Sequence, residues 1–202
     1  MNSLRFTELT HRHLPHFFSL RSDVSPQSRD LPVQLKKSGL PSALVSAEQI
    51  HGAGVAKVGQ IEAGKVVPGV DALITGERDL TLVVRVADCG PVWLHCWKTG
   101  AIGLVHSGRK GTDLGIVPVT IREMKKEFGA DPANMLGFLG PCIRPPHYDV
   151  DFAGEILRQM KAEGVGEIVD SGLCTASDAE RFYSYLQEKG KTGRHFAVLA
   201  MA

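Results

Sequence analysis

The sequence contains no apolar run long enough to cross a bilayer. Its N-terminus, MNSLRFTELTHRHLPHFF, breaks its apolar residues with charge and histidine, so the basic start and unbroken hydrophobic stretch of a signal peptide are missing. The expected location is the cytoplasm, with no membrane partner. Charge of one sign is also lacking. The 23 Lys+Arg against 22 Asp+Glu leave a net +1, which excludes a large basic field for nucleic acid while leaving room for a local basic pocket. Cysteine is sparse and unpaired. Cys89, Cys96, Cys142 and Cys174 form no CxxC, which argues against a zinc ribbon or a thioredoxin-type redox site. In a reducing compartment such wide spacing favours single thiols, as ligand or nucleophile, over structural disulfides. No repeat, low-complexity tract or linker divides the chain, so its 202 residues are expected to form one domain, 1–202. Hydrophobic residues at 43% and charged residues at 22% exclude wholesale disorder.

What is present reads as strands in the middle and helices toward the end. The segment 22–41 is polar and broken by Pro26, Pro32 and Pro41, which predicts a loop with at most a short helix. Strands are predicted at 42–47, 54–58, 72–75, 81–86, 91–97, 101–106, 135–139 and 196–199, the fourth (TLVVRV) rich in β-branched residues. Apolar positions at helical spacing predict helices at 117–128, closed by Gly129, and at 151–163, closed by Gly164. A third helix is predicted at 177–189, with Ser177 and Glu180 as a capping box. This order favours an α+β or mixed α/β fold. His11, His13 and His16 are expected on a flexible, solvated N-terminus.

Three apolar strands stop at clusters holding a metal-capable side chain beside glycine: Glu48-Gln49-Ile50-His51-Gly52, Ala87-Asp88-Cys89-Gly90-Pro91 and Val105-His106-Ser107-Gly108-Arg109-Lys110-Gly111. Imidazole and thiolate are preferred zinc ligands, and three protein ligands with an open fourth position make a catalytic site. His51, Cys89 and His106 would give such a His2Cys set. The same residues also allow a metal-free reading, with Cys89 as nucleophile, His106 as its base and Asp88 as the orienting acceptor. Asp71, before a strand, is divided between a loop-holding and a site role. Cys96, Cys142 and Cys174 are not expected to be ligands.

At these residues the chain resembles the bacterial purine nucleoside phosphorylases long labelled multicopper polyphenol oxidases or laccases. The resemblance rests on Gln49-Ile50-His51-Gly52, Asp71-Ala72-Leu73-Ile74-Thr75, Ala87-Asp88-Cys89-Gly90-Pro91, Gly140-Pro141-Cys142-Ile143, Cys174-Thr175, Phe182-Tyr183-Ser184-Tyr185 and Thr192-Gly193-Arg194, in family order over four-fifths of the chain. It implies zinc on His51, Cys89 and His106, with copper the less favoured metal. It also implies one α/β (α+β) domain of mixed sheets packed together with outer helices, similar to cysteine-hydrolase and toxin-deamidase folds. Two departures stand out. His106-Ser107-Gly108-Arg109-Lys110-Gly111 replaces the family's H-A-G-W-R-G, and the N-terminal segment 1–41 is shortened, with only residues 18–25 similar to the family's.

The function the resemblance implies is zinc-dependent cleavage of adenosine-, inosine- or guanosine-type nucleosides by phosphate, with adenosine deamination as an additional activity. Purine nucleoside and phosphate are then the partners. Cys89, Asp88 and Arg109 are the catalytic candidates; Arg85, Lys110 and Gln49 are the substrate- and phosphate-binding candidates. The competing readings are a copper-dependent polyphenol oxidase and a non-catalytic metal-containing binding protein. The oxidase is disfavoured because eight histidines with one H-x-H, at the N-terminus, fall short of a laccase's ligand needs.

Overall fold

The computed structural model describes residues 2–22 and 31–201. Twelve strands are described: β1 (Ser3–Leu4), β2 (His16–Ser19), β3 (Leu44–Ala47), β4 (Val55–Lys57), β5 (Val66–Val67), β6 (Ala72–Thr75), β7 (Leu80–Val86), β8 (Gly90–Cys96), β9 (Ile102–Ser107), β10 (Met135–Leu139), β11 (Glu167–Asp170) and β12 (His195–Met201). They form two six-stranded mixed sheets. One has the order β1-β2-β12-β7-β3-β5 and the other β11-β10-β8-β9-β6-β4. Five helices are described: α1 (Thr7–His11), α2 (Leu31–Lys37), α3 (Arg109–Asp113), α4 (Ile116–Phe128) and α5 (Phe152–Ala162). The result is the single α+β domain that the sequence predicts.

Alternation along the strands explains the layering. Leu80, Leu82, Val84 and Val86 of β7 face the second sheet, where Leu73, Trp93, Ile102, Leu104 and Phe138 meet them in one apolar cluster. The opposite face of β7 and β12 (Val83, Phe196, Val198, Ala200) is covered by Leu31 and Leu35 of α2. The outer face of the second sheet packs on Ile116, Val117, Ile121 and Met124 of α4 and on Ile156 and Met160 of α5. The layers therefore run helix, sheet, sheet, helix. Trp93 crosses the interface between the sheets, its Nε1–H donating to Val198 O at 2.9 Å.

Two expectations fail for physical reasons. Residues 177–189 form a 3-10 turn at Thr175–Ser177 and then irregular turns rather than a helix. Side chains take the N–H groups a helical ladder would need. Tyr183 N donates to His195 Nε2 (2.7 Å), Ser184 N to Glu188 Oε1 (3.0 Å) and Leu186 N to Asp88 Oδ2 (2.8 Å). Of the three N-terminal histidines, His11 and His13 are exposed as expected, whereas His16 is fully buried on β2. Its Nε2 accepts from Phe6 N and its Nδ1 donates to Leu14 O, both at 2.8 Å. Of the stretch similar to the family's N-terminal segment, residues 23–25 lie outside the described residues.

Candidate metal centre and adjoining cavity

Three times the chain leaves the first sheet for the second at the same edge of the sandwich. β3 and β5 run parallel to each other, as do β3 and β7, so their C-terminal ends lie together. The following connections lead to β4, β6 and β8 of the second sheet. They carry His51, Asp71 and Cys89 in turn. His106 joins them from the end of β9, where it pairs with Pro91 of β8. Sharp reversals require unusual backbone. Gln49, His51 and Asp88 all adopt positive φ (68°, 59° and 83°), a region that costs a non-glycine residue about 1–2 kcal/mol. Gly108 serves close approach instead. A Cβ there would sit 2.6 Å from Cys89 Sγ.

One ligand atom from each of His51, Cys89 and His106 lies within 4.8 Å of the others. Bonds of about 2.0–2.3 Å to a tetrahedral ion place donors roughly 3.5 Å apart, so the three atoms stand near the separation that one shared ion requires. Asp71 orients the opposite side. Its Oδ1 accepts from His106 Nδ1 at 2.8 Å, which turns Nε2 toward the centre. The same carboxylate accepts from His51 N (2.9 Å) and Gly52 N (2.7 Å), fixing the His51 turn. Burial pushes the Cys89 thiol up, but hydrogen bonds from His106 and His51 outweigh it and bring the thiol down to about 7. Burial likewise pulls His106 down, and the bonds to Asp71 and Cys89 overcome this and hold it at about 9. A thiol brought down toward neutral pH, one imidazole fixed by a carboxylate and a second on a turn make a set that could hold one metal ion.

A cavity of about 820 Å³ opens beside this set. Arg85, Arg109 and Arg194 supply positive charge to its lining. Ile143, Tyr148 and Phe152 form an apolar wall, and Tyr185 and Leu186 form another. Gln49 borders the cavity too, but its side-chain amide is engaged with backbone. Its Oε1 accepts from Arg85 N (2.8 Å) and its Nε2 donates to Arg85 O (2.6 Å), extending the β3–β7 ladder. Asp88 lines the cavity with both oxygens bonded, to Thr175 Oγ1 (2.7 Å) and Leu186 N (2.8 Å). Lys110 is exposed and lies outside the lining. Thus the structure gathers His51, Cys89, His106, Arg85, Arg109, Asp88 and Gln49 at one place and leaves Lys110 apart. Arg194 was not singled out as a binding residue by the sequence reading, although it belongs to the Thr192-Gly193-Arg194 motif. Its guanidinium lies 5.4 Å from the Tyr185 ring centre.

The sequence pattern of the family described as multi-copper polyphenol oxidoreductase laccase matches residues 27–155 and 147–202. The chain belongs to this family. Similar relatives within reach of this match include a purine nucleoside phosphorylase of Corynebacterium glutamicum, 35% identical over 79% of this chain and 74% of its own length. Another, of Streptomyces coelicolor, is 33% identical over 76% and 73%. A third, of Deinococcus radiodurans, is 30% identical over 93% and 89%. Among solved structures, the hypothetical protein YfiH of Bacillus licheniformis superposes with a TM-score of 0.88 at 19% identity, covering 99% of this chain and 96% of that one. YlmD of Geobacillus stearothermophilus gives 0.82 at 24% identity, covering 92% and 91%. These two likenesses establish the family fold.

Proposed function

We propose that the protein is a metal-dependent purine nucleoside phosphorylase, with zinc as its metal. The observation that carries this reading is the His51–Cys89–His106 set opening on a cavity that holds three arginines together with two apolar walls. Relatives named purine nucleoside phosphorylase support the reaction class. The cavity suits the size of a nucleoside with phosphate.

In phosphorolysis, phosphate oxygen attacks C1′ as the bond from C1′ to the purine nitrogen breaks. Positive charge grows on the sugar and negative charge on the departing base. Arg85, Arg109 and Arg194 hold the phosphate dianion and aim its oxygen, converting a bimolecular encounter into a positioned one. Tyr148, Phe152, Tyr185 and Leu186 of the lining exclude water and receive the flat base. Zinc on His51, Cys89 and His106 would supply Lewis acidity to stabilise charge developing on the substrate. Asp71 keeps His106 in one tautomer throughout.

The donor chemistry favours zinc over the copper of the family's description. A multicopper oxidase needs several metal centres. Among the described residues, one group of three or more His, Cys, Asp or Glu donors is found. Deamination of adenosine needs a carboxylate free to shuttle a proton. Here Asp71 and Asp88 have both oxygens engaged, and Glu48 Oε2 accepts from Gly69 N at 2.6 Å. Phosphorolysis is the activity this reading assigns first, on the support of the relatives named purine nucleoside phosphorylase. The test is to incubate zinc-loaded protein with adenosine, inosine or guanosine, with and without phosphate, and to resolve the products by chromatography. Free base and ribose 1-phosphate formed only with phosphate are expected. Inosine from adenosine without phosphate would assign deamination instead, and nucleoside binding without turnover would make this a binding protein.

A further inference from the structure

Asp88 stands next to Cys89 and is only 8% exposed. Its position recommends it as a proton donor, but its bonding does not. Oδ2 accepts from Leu186 N, a donor that cannot reverse, and Oδ1 accepts from the buried Thr175 hydroxyl. Both oxygens are thus held by donors of the chain itself, which gives the carboxylate a positional load. Its backbone joins a third segment, since Ile143 N donates to Asp88 O at 2.9 Å. One residue thus fastens Ile143, Thr175 and Leu186 to the turn that presents Cys89. Asp88 makes these contacts from a backbone held at a positive φ of 83°. The rim it fastens is unusual in staying bare: Tyr185 is 52% and Leu186 47% exposed, and both line the cavity.

We infer that Asp88 is a positioning residue, whose carboxylate ties the Cys89 turn to the 185–186 rim and so fixes the apolar wall that receives the nucleoside base. The part concerning the base rests on the phosphorylase reading; the tie itself does not. The chemistry separates positioning from proton transfer through one conservative change. In Asp88→Asn the amide oxygen faces Leu186 N, and the amide NH2 faces Thr175, whose hydroxyl turns from donor to acceptor. The tie survives while any acid or base function is lost. In Asp88→Ala both are lost.

Two measurements on the full chain test this. Amide hydrogen exchange reads the tie without any turnover. Protection of the Leu186 amide should fall by about tenfold or more in Asp88→Ala and stay near wild type in Asp88→Asn. Steady-state kinetics with inosine and phosphate read its consequence. Asp88→Ala should raise KM for inosine about tenfold with kcat changed less, and Asp88→Asn should remain within about threefold of wild type in both. Metal content should match wild type in both variants. If Asp88→Ala does not fold, Asp88→Asn decides alone. A kcat loss of about 10²–10⁴ at unchanged KM in Asp88→Asn would make Asp88 a proton-transfer group and overturn the inference. Unchanged Leu186 protection in Asp88→Ala would overturn it too. If the wild type cleaves no nucleoside, the phosphorylase reading fails alone, and the exchange result still decides whether Asp88 holds the rim.

Discussion

Acid should loosen the cavity's irregular wall through His195. His195 is fully buried. Its Nδ1 donates to Ser19 O (2.7 Å) and its Nε2 accepts from Tyr183 N (2.7 Å), so both ring nitrogens are matched only while the ring is neutral. Burial is the largest cause that lowers its pKa, and it wins over the bonds to Ser19 and Tyr183, taking the group from 6.5 to about 4. Below 6.5 the unfolded chain binds a proton that the folded chain refuses, so stability falls as pH falls from about 6.5 to about 4. Between pH 7 and pH 5 this one group should cost about 2 kcal/mol. The assay is urea unfolding of metal-free protein at both pH values, followed by the fluorescence of buried Trp93. His195→Gln keeps an acceptor for Tyr183 N but cannot titrate. It should be less stable than wild type at pH 7, yet lose about 2 kcal/mol less on going to pH 5. With a urea slope near 2 kcal/mol/M, that is roughly 1 M less midpoint shift. His16 and His95, whose pKa values burial also lowers, are common to both proteins and cancel. Equal acid losses in the two proteins would refute the assignment of this titration to His195.

Replacing Asp71 by Ala removes the acceptor that fixes His106, and should weaken zinc affinity about 10- to 100-fold in a chelator competition. Gly108→Ala places a methyl 2.6 Å from Cys89 Sγ; it should lower zinc affinity without lowering helix content in circular dichroism. Arg85→Ala and Arg194→Ala should each raise KM for phosphate about tenfold or more and leave KM for inosine less affected, as measured by varying each substrate at saturation of the other.

The elements legible in the sequence were those whose own side chains decide them. The β-branched run of β7 and the Gly129-closed helix α4 stand within a residue or two of expectation. His51, Cys89 and His106 could be picked out because each ends an apolar strand beside glycine, a local pattern. Asp71 was ambiguous because its partners come from another connection and from the end of β9, and nothing in its neighbours announces a histidine 35 residues later. The 177–189 segment misled for the opposite reason. Its helical pattern is real, but two of the three acceptors that dismantle the ladder, Asp88 and His195, lie elsewhere in the chain. The N-terminal strands were missed because β1 and β2 span only 2 and 4 residues, too short for a period to show, and take their place from pairing with each other and with β12.

Because all three connections that bear His51, Asp71 and Cys89 cross from one sheet to the other at a single margin, that margin acts like the spine of a book. An ion clasped there binds the covers at their spine, so loading must raise the temperature at which the leaves part, by an amount that grows with free zinc. Chelation should loosen the spine first, while the far margin, where the described residues form no such clasp, keeps the same rate of opening with or without the ion.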